Sequence, residues 1–196
     1  EFKQMIQALH DRGIGVIMDV VYNHTYSTDS CLQNTVPDYY YRIMSNGTWY
    51  NGSGCGNETK SEAPMYRKYM IDSVTYWAKE YHIDGFRFDL MGLHDYETMN
   101  LIRESLDNLY ADGSGKNLIM YGEPWTGGSC GIASSNQTIK SNASKISERI
   151  GFFNDPYRDA VKGSTEGSDG GFVQTGSAKF ANILKAGLSG NVAGTF

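Results

Sequence analysis

No basic run occurs in this 196-residue chain: its 17 Lys and Arg are outnumbered by 22 Asp and Glu, and the net charge is -5. A surface of that kind does not neutralise a series of phosphates, so no nucleic acid is expected as a partner. Long apolar runs are missing too. The longest, such as Val16-Ile17-Met18, falls far short of the roughly 20 residues that cross a bilayer, so no membrane span is expected. Cysteine is scarce, and Cys31, Cys55 and Cys130 lack the paired spacing of zinc ligands, so no metal cluster is expected. Cys31 and Cys55 share a loop-rich stretch; a disulfide in an exported protein and two unpaired thiols both fit that spacing. An initiator Met and a charged-then-apolar leader are also absent, and the chain opens on an amphipathic helix, so the true N-terminus is expected upstream. What is present suffices for a folded core. With 40% hydrophobic and 13% aromatic residues, one globular domain is expected and a disordered chain is excluded. The triplets Asn46-Gly47-Thr48 and Asn57-Glu58-Thr59 carry little weight as glycosylation signals, since such triplets arise by chance in Asn- and Ser-rich loops.

Helical and extended patterns alternate. Phe2, Met5, Ile6 and Leu9 predict a helix that Gly13 stops, and Gly15 to Val21 reads as a strand whose unbroken apolar run suits a parallel strand covered on both faces. Residues 22–63 form a long polar loop, a length that points to function. Pro64 opens a helix to about Tyr81, with Met70, Ile71, Val74, Trp77 and Ala78 on its apolar face. Asp84 to Leu90 is the next strand. Asp95 caps a helix carrying Met99, Ile102, Leu106 and Leu109, and Asn117 to Tyr121 is the third strand. A polar loop over about 126–147 leads to a fourth strand, Arg149 to Phe153, after which Asp155 caps a short helix through Val161. Beyond Gly163 glycine is dense and periodicity weak. This order implies parallel crossover units of the α/β class, as an open doubly wound sheet or part of an eight-stranded barrel; no Gly-x-Gly-x-x-Gly turn follows the first strand, which weakens the nucleotide-binding version.

Polar residues cluster where strands end: Asp19, Asn23 and His24 at the first, Arg87 and Asp89 at the second, Glu123 after the third. In barrel enzymes that end of the strands holds the active site. Arg87 and Asp89, two apart, point to one face of an extended strand, and a carboxylate beside a fixed guanidinium stays ionised, as a nucleophile requires. An ordinary buried ion pair gives the same pattern. Glu123, flanked by Tyr121, Pro124 and Trp125, sits where desolvation raises a carboxyl pKa, as suits a general acid; a Glu at a loop entrance is the plainer reading. Two such carboxylates suggest glycoside hydrolysis with retention, for which they stand about 5 to 5.5 Å apart. Trp49, Tyr50 and Trp125 suit stacking on sugar faces, and equally suit a core. His10 and His82, at helix ends, read as structural.

Three segments together resemble the α-amylase superfamily, glycoside hydrolase family 13, and within it the type I pullulanase branch. They are Asp19-Val20-Val21-Tyr22-Asn23-His24, Gly85-Phe86-Arg87-Phe88-Asp89-Leu90-Met91-Gly92-Leu93-His94-Asp95, and Tyr121-Gly122-Glu123-Pro124-Trp125. Ser53-Gly54-Cys55-Gly56-Asn57-Glu58-Thr59 also looks like that branch. The resemblance covers nearly the whole chain. It implies a catalytic set of Asp89 as nucleophile, Glu123 as general acid/base and Arg87 as the residue that orients Asp89, with Asp19, Asn23, His24, His94 and Trp125 binding substrate. It further implies a partial (β/α)8 TIM barrel, about strands 3 to 6 with the 22–63 insertion after strand 3, from a debranching hydrolase of α-1,6 links in pullulan and branched α-glucans. No cofactor is required. Ca2+ is a weak expectation, since Asn23 matches a position that binds calcium in many α-amylases. A secreted and a cytoplasmic bacterial enzyme fit alike.

The chain departs from the family pattern in three places. A third carboxylate, the Asp of a His-Asp-Asn motif, is not supplied after Phe153, and the Tyr-Asn-Trp-Gly-Tyr-Asp-Pro segment that precedes the first signature is absent. Pro156 stands where the branch usually has Arg. Truncation explains the first two, since a whole barrel needs about 250 residues. With both sheet edges unpaired, the isolated chain is expected to be poorly soluble or inactive. An α-1,4-acting amylase, an isoamylase-like debrancher and a catalytically incomplete carbohydrate-binding barrel remain the alternatives.

Overall fold

The computed structural model describes residues 1–165 and 167–190, in two units, Glu1–Phe152 and Phe153–Phe196. In the first unit α1 (Phe2–His10) leads to β1 (Ile17–Val20); α2 (Cys31–Thr35) lies within the long loop; α3 (Pro64–Tyr81) precedes β2 (Gly85–Phe88); α4 (Tyr96–Asp107) precedes β3 (Ile119–Gly122); and β4 (Gly151–Phe152) ends the unit. The strands form one parallel sheet in the order β1-β2-β3-β4. Parallel neighbours need a crossover between them, and α3 and α4 supply two.

Sequence chemistry sets the element ends. Pro64 occupies the first turn of α3, where its missing N–H costs nothing, and His82 ends that helix in the left-handed conformation (φ 57°). Asp95 caps α4, accepting from Thr98 N at 2.8 Å. Phe86 and Phe88 of β2 and Met120 of β3 are buried in one core with Met70, Val74 and Ala78 of α3 and Met99, Ile102 and Leu106 of α4. Each fully buried apolar side chain of this size contributes about 1.5–3 kcal/mol.

The opposite face of the sheet differs from expectation. The Val16–Met18 run predicted cover on both faces, but the register aligns Ile17 with Gly85 and Ile119, and Asp19 with Arg87 and Tyr121, on a face where Ile17 is 36% and Ile119 54% exposed. Alternation along β1 sends Met18 and Val20 toward the helices and Ile17 and Asp19 away from them.

Other differences are local. β4 covers two residues instead of five. The 22–63 loop is not structureless: besides α2 it holds the isolated antiparallel bridges Tyr41–Thr59 and Ile43–Trp49. In the second unit, α5 (Asp155–Lys162) is capped by Asn154, whose side chain accepts from Tyr157 N at 3.1 Å, so the expected cap, Asp155, is instead the first helical residue. α6 (Phe172–Thr175) and α7 (Ala181–Leu188) occupy the segment of weak periodicity, whose end, 191–196, lies outside the described residues. All three cysteines are free thiols. Among the described residues no helix is long and apolar enough to cross a membrane.

Candidate active site

The parallel register places Asp19 beside Arg87, and the next steps beyond β2 and β3 carry Asp89 and Glu123 to the same end of the sheet: Asp89 N donates to Val20 O (3.1 Å) and Glu123 N to Phe88 O (3.0 Å). One guanidinium then gathers all three acids. Arg87 Nη1 donates to Asp19 Oδ1 (2.9 Å) and Asp89 Oδ1 (3.2 Å), and Nη2 donates to Glu123 Oε1 (2.6 Å). Its partial burial opposes the charge, but the hydrogen bond it donates to Asp19 and the charges of Glu123 and Asp19 outweigh that and raise the Arg87 pKa. Three carboxylates on one cation leave an excess of negative charge.

Asp89 and Glu123 have further donors. Asn23, fully buried, gives Nδ2–H to Asp89 Oδ2 (3.0 Å) and to the Asp89 carbonyl (2.7 Å). That fixes the amide's orientation, so Asn23 Oδ1 accepts from His24 Nδ1 at 2.6 Å. Glu123 Oε2 accepts from Leu90 N (2.8 Å). Leu90 is left-handed, φ 38°, an uncommon conformation for a branched side chain, and it turns the backbone N–H toward the carboxylate. The immediate partners of Glu123 are therefore donors, rather than the apolar neighbours its sequence context suggested.

Trp125 lies beside the turn Met91–Leu93, half-buried. Gly92 is what permits the approach, because a Cβ there would stand 2.5 Å from the Trp125 carbonyl oxygen. His94 departs from the substrate-binding place expected of it. It is fully buried, packs edge-on to Phe88 at 6.4 Å, and neither ring nitrogen has a hydrogen-bond partner among the described residues. Burial, reinforced by the Arg42 charge, lowers its pKa to about 3. Trp49 packs against Tyr41 at 4.6 Å, and the Tyr50 ring lies against Gly131. Calcium does not fit Asn23: its side-chain oxygen is committed to His24, and no cluster of three or more His, Cys, Asp or Glu among the described residues is placed to hold a metal ion.

Three comparisons bear on this arrangement. The pullulanase of Bacillus subtilis (strain 168) is 38% identical over 192 residues, 97% of this chain and 26% of that protein. The relatives are pullulanases and isoamylases. Isoamylase SU1, chloroplastic, of Zea mays is 32% identical over 87% of this chain and 24% of its own length. The crystal structure of the pullulanase from Paenibacillus barengoltzii, in complex with maltohexaose and alpha-cyclodextrin, superposes with a TM-score of 0.86 at 43% identity, covering 94% of this chain and 28% of that one. The chain thus spans about a quarter of the length of these relatives, and its small α/β domain with a parallel sheet matches part of the pullulanase structures. No family model matches it.

Sequence reasoning missed two contributors, the Leu90 N–H and a buried network around Arg42 and Glu58. A backbone donor leaves no trace in residue type. Glu58 did stand in a motif noticed in the sequence, without a role.

Proposed function

We propose that the chain is the central part of the catalytic domain of a retaining glycoside hydrolase of family 13, the α-amylase superfamily, cleaving α-1,6-glucosidic links in pullulan and branched α-glucans. In this reading residues 1–196 form about strands 3 to 6 of a (β/α)8 barrel, and 22–63 is the loop beside the substrate groove. The supporting observation is the Arg87 guanidinium, which binds acids from the ends of three consecutive parallel strands. Ile17 and Ile119, exposed on either side of the buried Gly85 on the face away from the helices, suit a sheet whose inner face the rest of a barrel would cover.

Glu123 in its acid form donates its proton to the glycosidic oxygen as the C1–O bond breaks, and the Asp89 carboxylate bonds to C1. A water then gives its proton to Glu123 and attacks C1, freeing Asp89 and restoring the acid; two inversions amount to retention. Arg87 and Asn23 hold Asp89 aimed. The excess negative charge suits the oxocarbenium-like transition state. The Arg87–Glu123 contact belongs to the resting site and gives way as Glu123 turns to the sugar. His24 Nε2 and Trp125 serve the substrate, and the third carboxylate is supplied from outside 1–196.

The relatives' names favour α-1,6 cleavage, and the maize isoamylase keeps an isoamylase-like debrancher as the second reading. The test is incubation of the full-length protein with pullulan and with linear amylose. Maltotriose from pullulan and no products from amylose are expected; products from amylose alone would overturn the assignment, and binding of maltohexaose without any hydrolysis would favour a carbohydrate-binding barrel.

A further inference from the structure

The motif Asn57-Glu58-Thr59 lies in an extended segment whose side chains alternate between two sets of partners. On one side, Asn57 grips the Thr25 backbone at both ends, accepting from Thr25 N at 3.0 Å and donating to Thr25 O at 2.8 Å. Thr59 Oγ1 donates to Tyr22 O at 2.6 Å, and Thr59 N donates to Asn23 O at 2.9 Å. Backbone on both sides of Asn23 and His24 is thereby fixed. On the other side, Glu58 is fully buried and accepts from Gly52 N (2.8 Å), from Gly131 N (2.7 Å) and from Arg42 Nη1 (3.2 Å). Arg42 Nη1 also donates to Leu93 O (3.0 Å), and its Nη2 reaches Ser61 and Glu62. One carboxylate thus ties the Gly52 turn to the loop after β3, and through Arg42 to the turn after β2.

We propose that this segment is the positioning element of the candidate site, with divided labour: Thr59 and Asn57 set the β1 end, where Asn23 meets Asp89, while Glu58 joins the loops that carry Tyr50, Gly92 and Trp125. The proposal rests on the function proposed above for its kinetic readout alone. An unpaired buried carboxylate would be costly, but here each oxygen has an N–H donor and the charge has Arg42, so the network rigidifies the loops it joins.

The two halves separate in a KM-against-kcat comparison with pullulan, in the full-length protein. Thr59→Val keeps the shape and removes one of the two hydroxyls that hold Tyr22 O, Tyr66 Oη being the other; it is expected to lower kcat about tenfold through a misplaced Asn23, with KM within about twofold, and Thr59→Ser is expected to restore kcat. Glu58→Gln is expected to raise KM at least about fivefold with a smaller change in kcat. Equal effects of both variants on kcat and KM, or none, would overturn the division. Hydrogen exchange by mass spectrometry decides the clamp independently of activity: Glu58→Gln is expected to speed exchange in peptides containing Gly52 and Gly131 at least about tenfold while α3 and α4 keep their protection. Unchanged exchange at those peptides, or loss of protection throughout, would overturn it. A wild-type protein that neither binds nor cleaves pullulan would count against the function proposed above and leave the exchange result to settle the clamp.

Discussion

Arg42 and Arg87 are both held by carboxylates, yet the two networks are built for different ends. The Arg42 side chain is 3% exposed and faces Glu58, which is wholly buried, whereas Arg87 is 19% exposed and faces Asp19 at 65%, Asp89 at 28% and Glu123 at 17%. In the buried network each Glu58 oxygen has a donor, and the geometry has no reason to change. In the open one three partly exposed acids share one guanidinium, and an incoming ligand can take over contacts. Burial makes the first a fixture and leaves the second able to exchange partners.

Substitutions should therefore separate activity from stability. The largest effect is expected from Asp89→Asn in the full-length protein: a loss of turnover on the order of 10^4-fold or more, with the thermal midpoint shifted by only a few degrees. Retained turnover would remove Asp89 from its role. Next, Arg42→Met leaves Glu58 buried without its cation and is expected to cost about 3–5 kcal/mol in urea unfolding. Arg87→Lys keeps a charge at the open site but loses the fork that reaches three acids; turnover should fall about a hundredfold, with stability changing by about 1 kcal/mol or less. Equal stability losses in the two arginine variants would break the comparison.

A smaller effect comes from acid. The unfolded chain protonates His94 near its ordinary value of 6.5, and the folded chain does so only at about 3, so unfolding takes up a proton in that window and stability falls as pH drops from 6.5 toward 3. The slope reaches about 1.4 kcal/mol per pH unit. Asp95 acts in the same direction at lower pH. Burial pushes its carboxyl up, but hydrogen bonds from Ser61 and Thr98 and the Arg67 charge bring it below the ordinary 3.8, and the stability this contributes is lost as pH falls through the folded value. Urea unfolding at pH 7 and pH 5 is expected to show a shallower acid loss in His94→Leu than in the wild type; equal losses would remove His94 as the cause.

The strand ends were legible because the chemistry there is local. Arg87 and Asp89 sit two apart on one strand, and a parallel partner brings Asp19 alongside without any long-range information. Helices α3 and α4 were legible from apolar spacing and from Pro64 and Asp95 at their starts. The place of His94 was not, because a turn of three residues, Met91–Leu93, decides whether the next side chain faces a groove or the core, and the motif that suggested a role carries no such geometry. The partners of Glu58 were hidden for a different reason. Besides Arg42, they are backbone N–H groups of Gly52 and Gly131, 6 and 73 residues away.

The most direct test of the central claim, that Asp89 and Glu123 form a retaining pair gathered by Arg87, is the anomeric configuration of the sugar first released when the full-length protein acts on pullulan. Proton NMR during the first minutes should show the α-anomer rising first, with the β-anomer appearing only by mutarotation. A β-anomer that rises first would mean inversion, and would contradict the account.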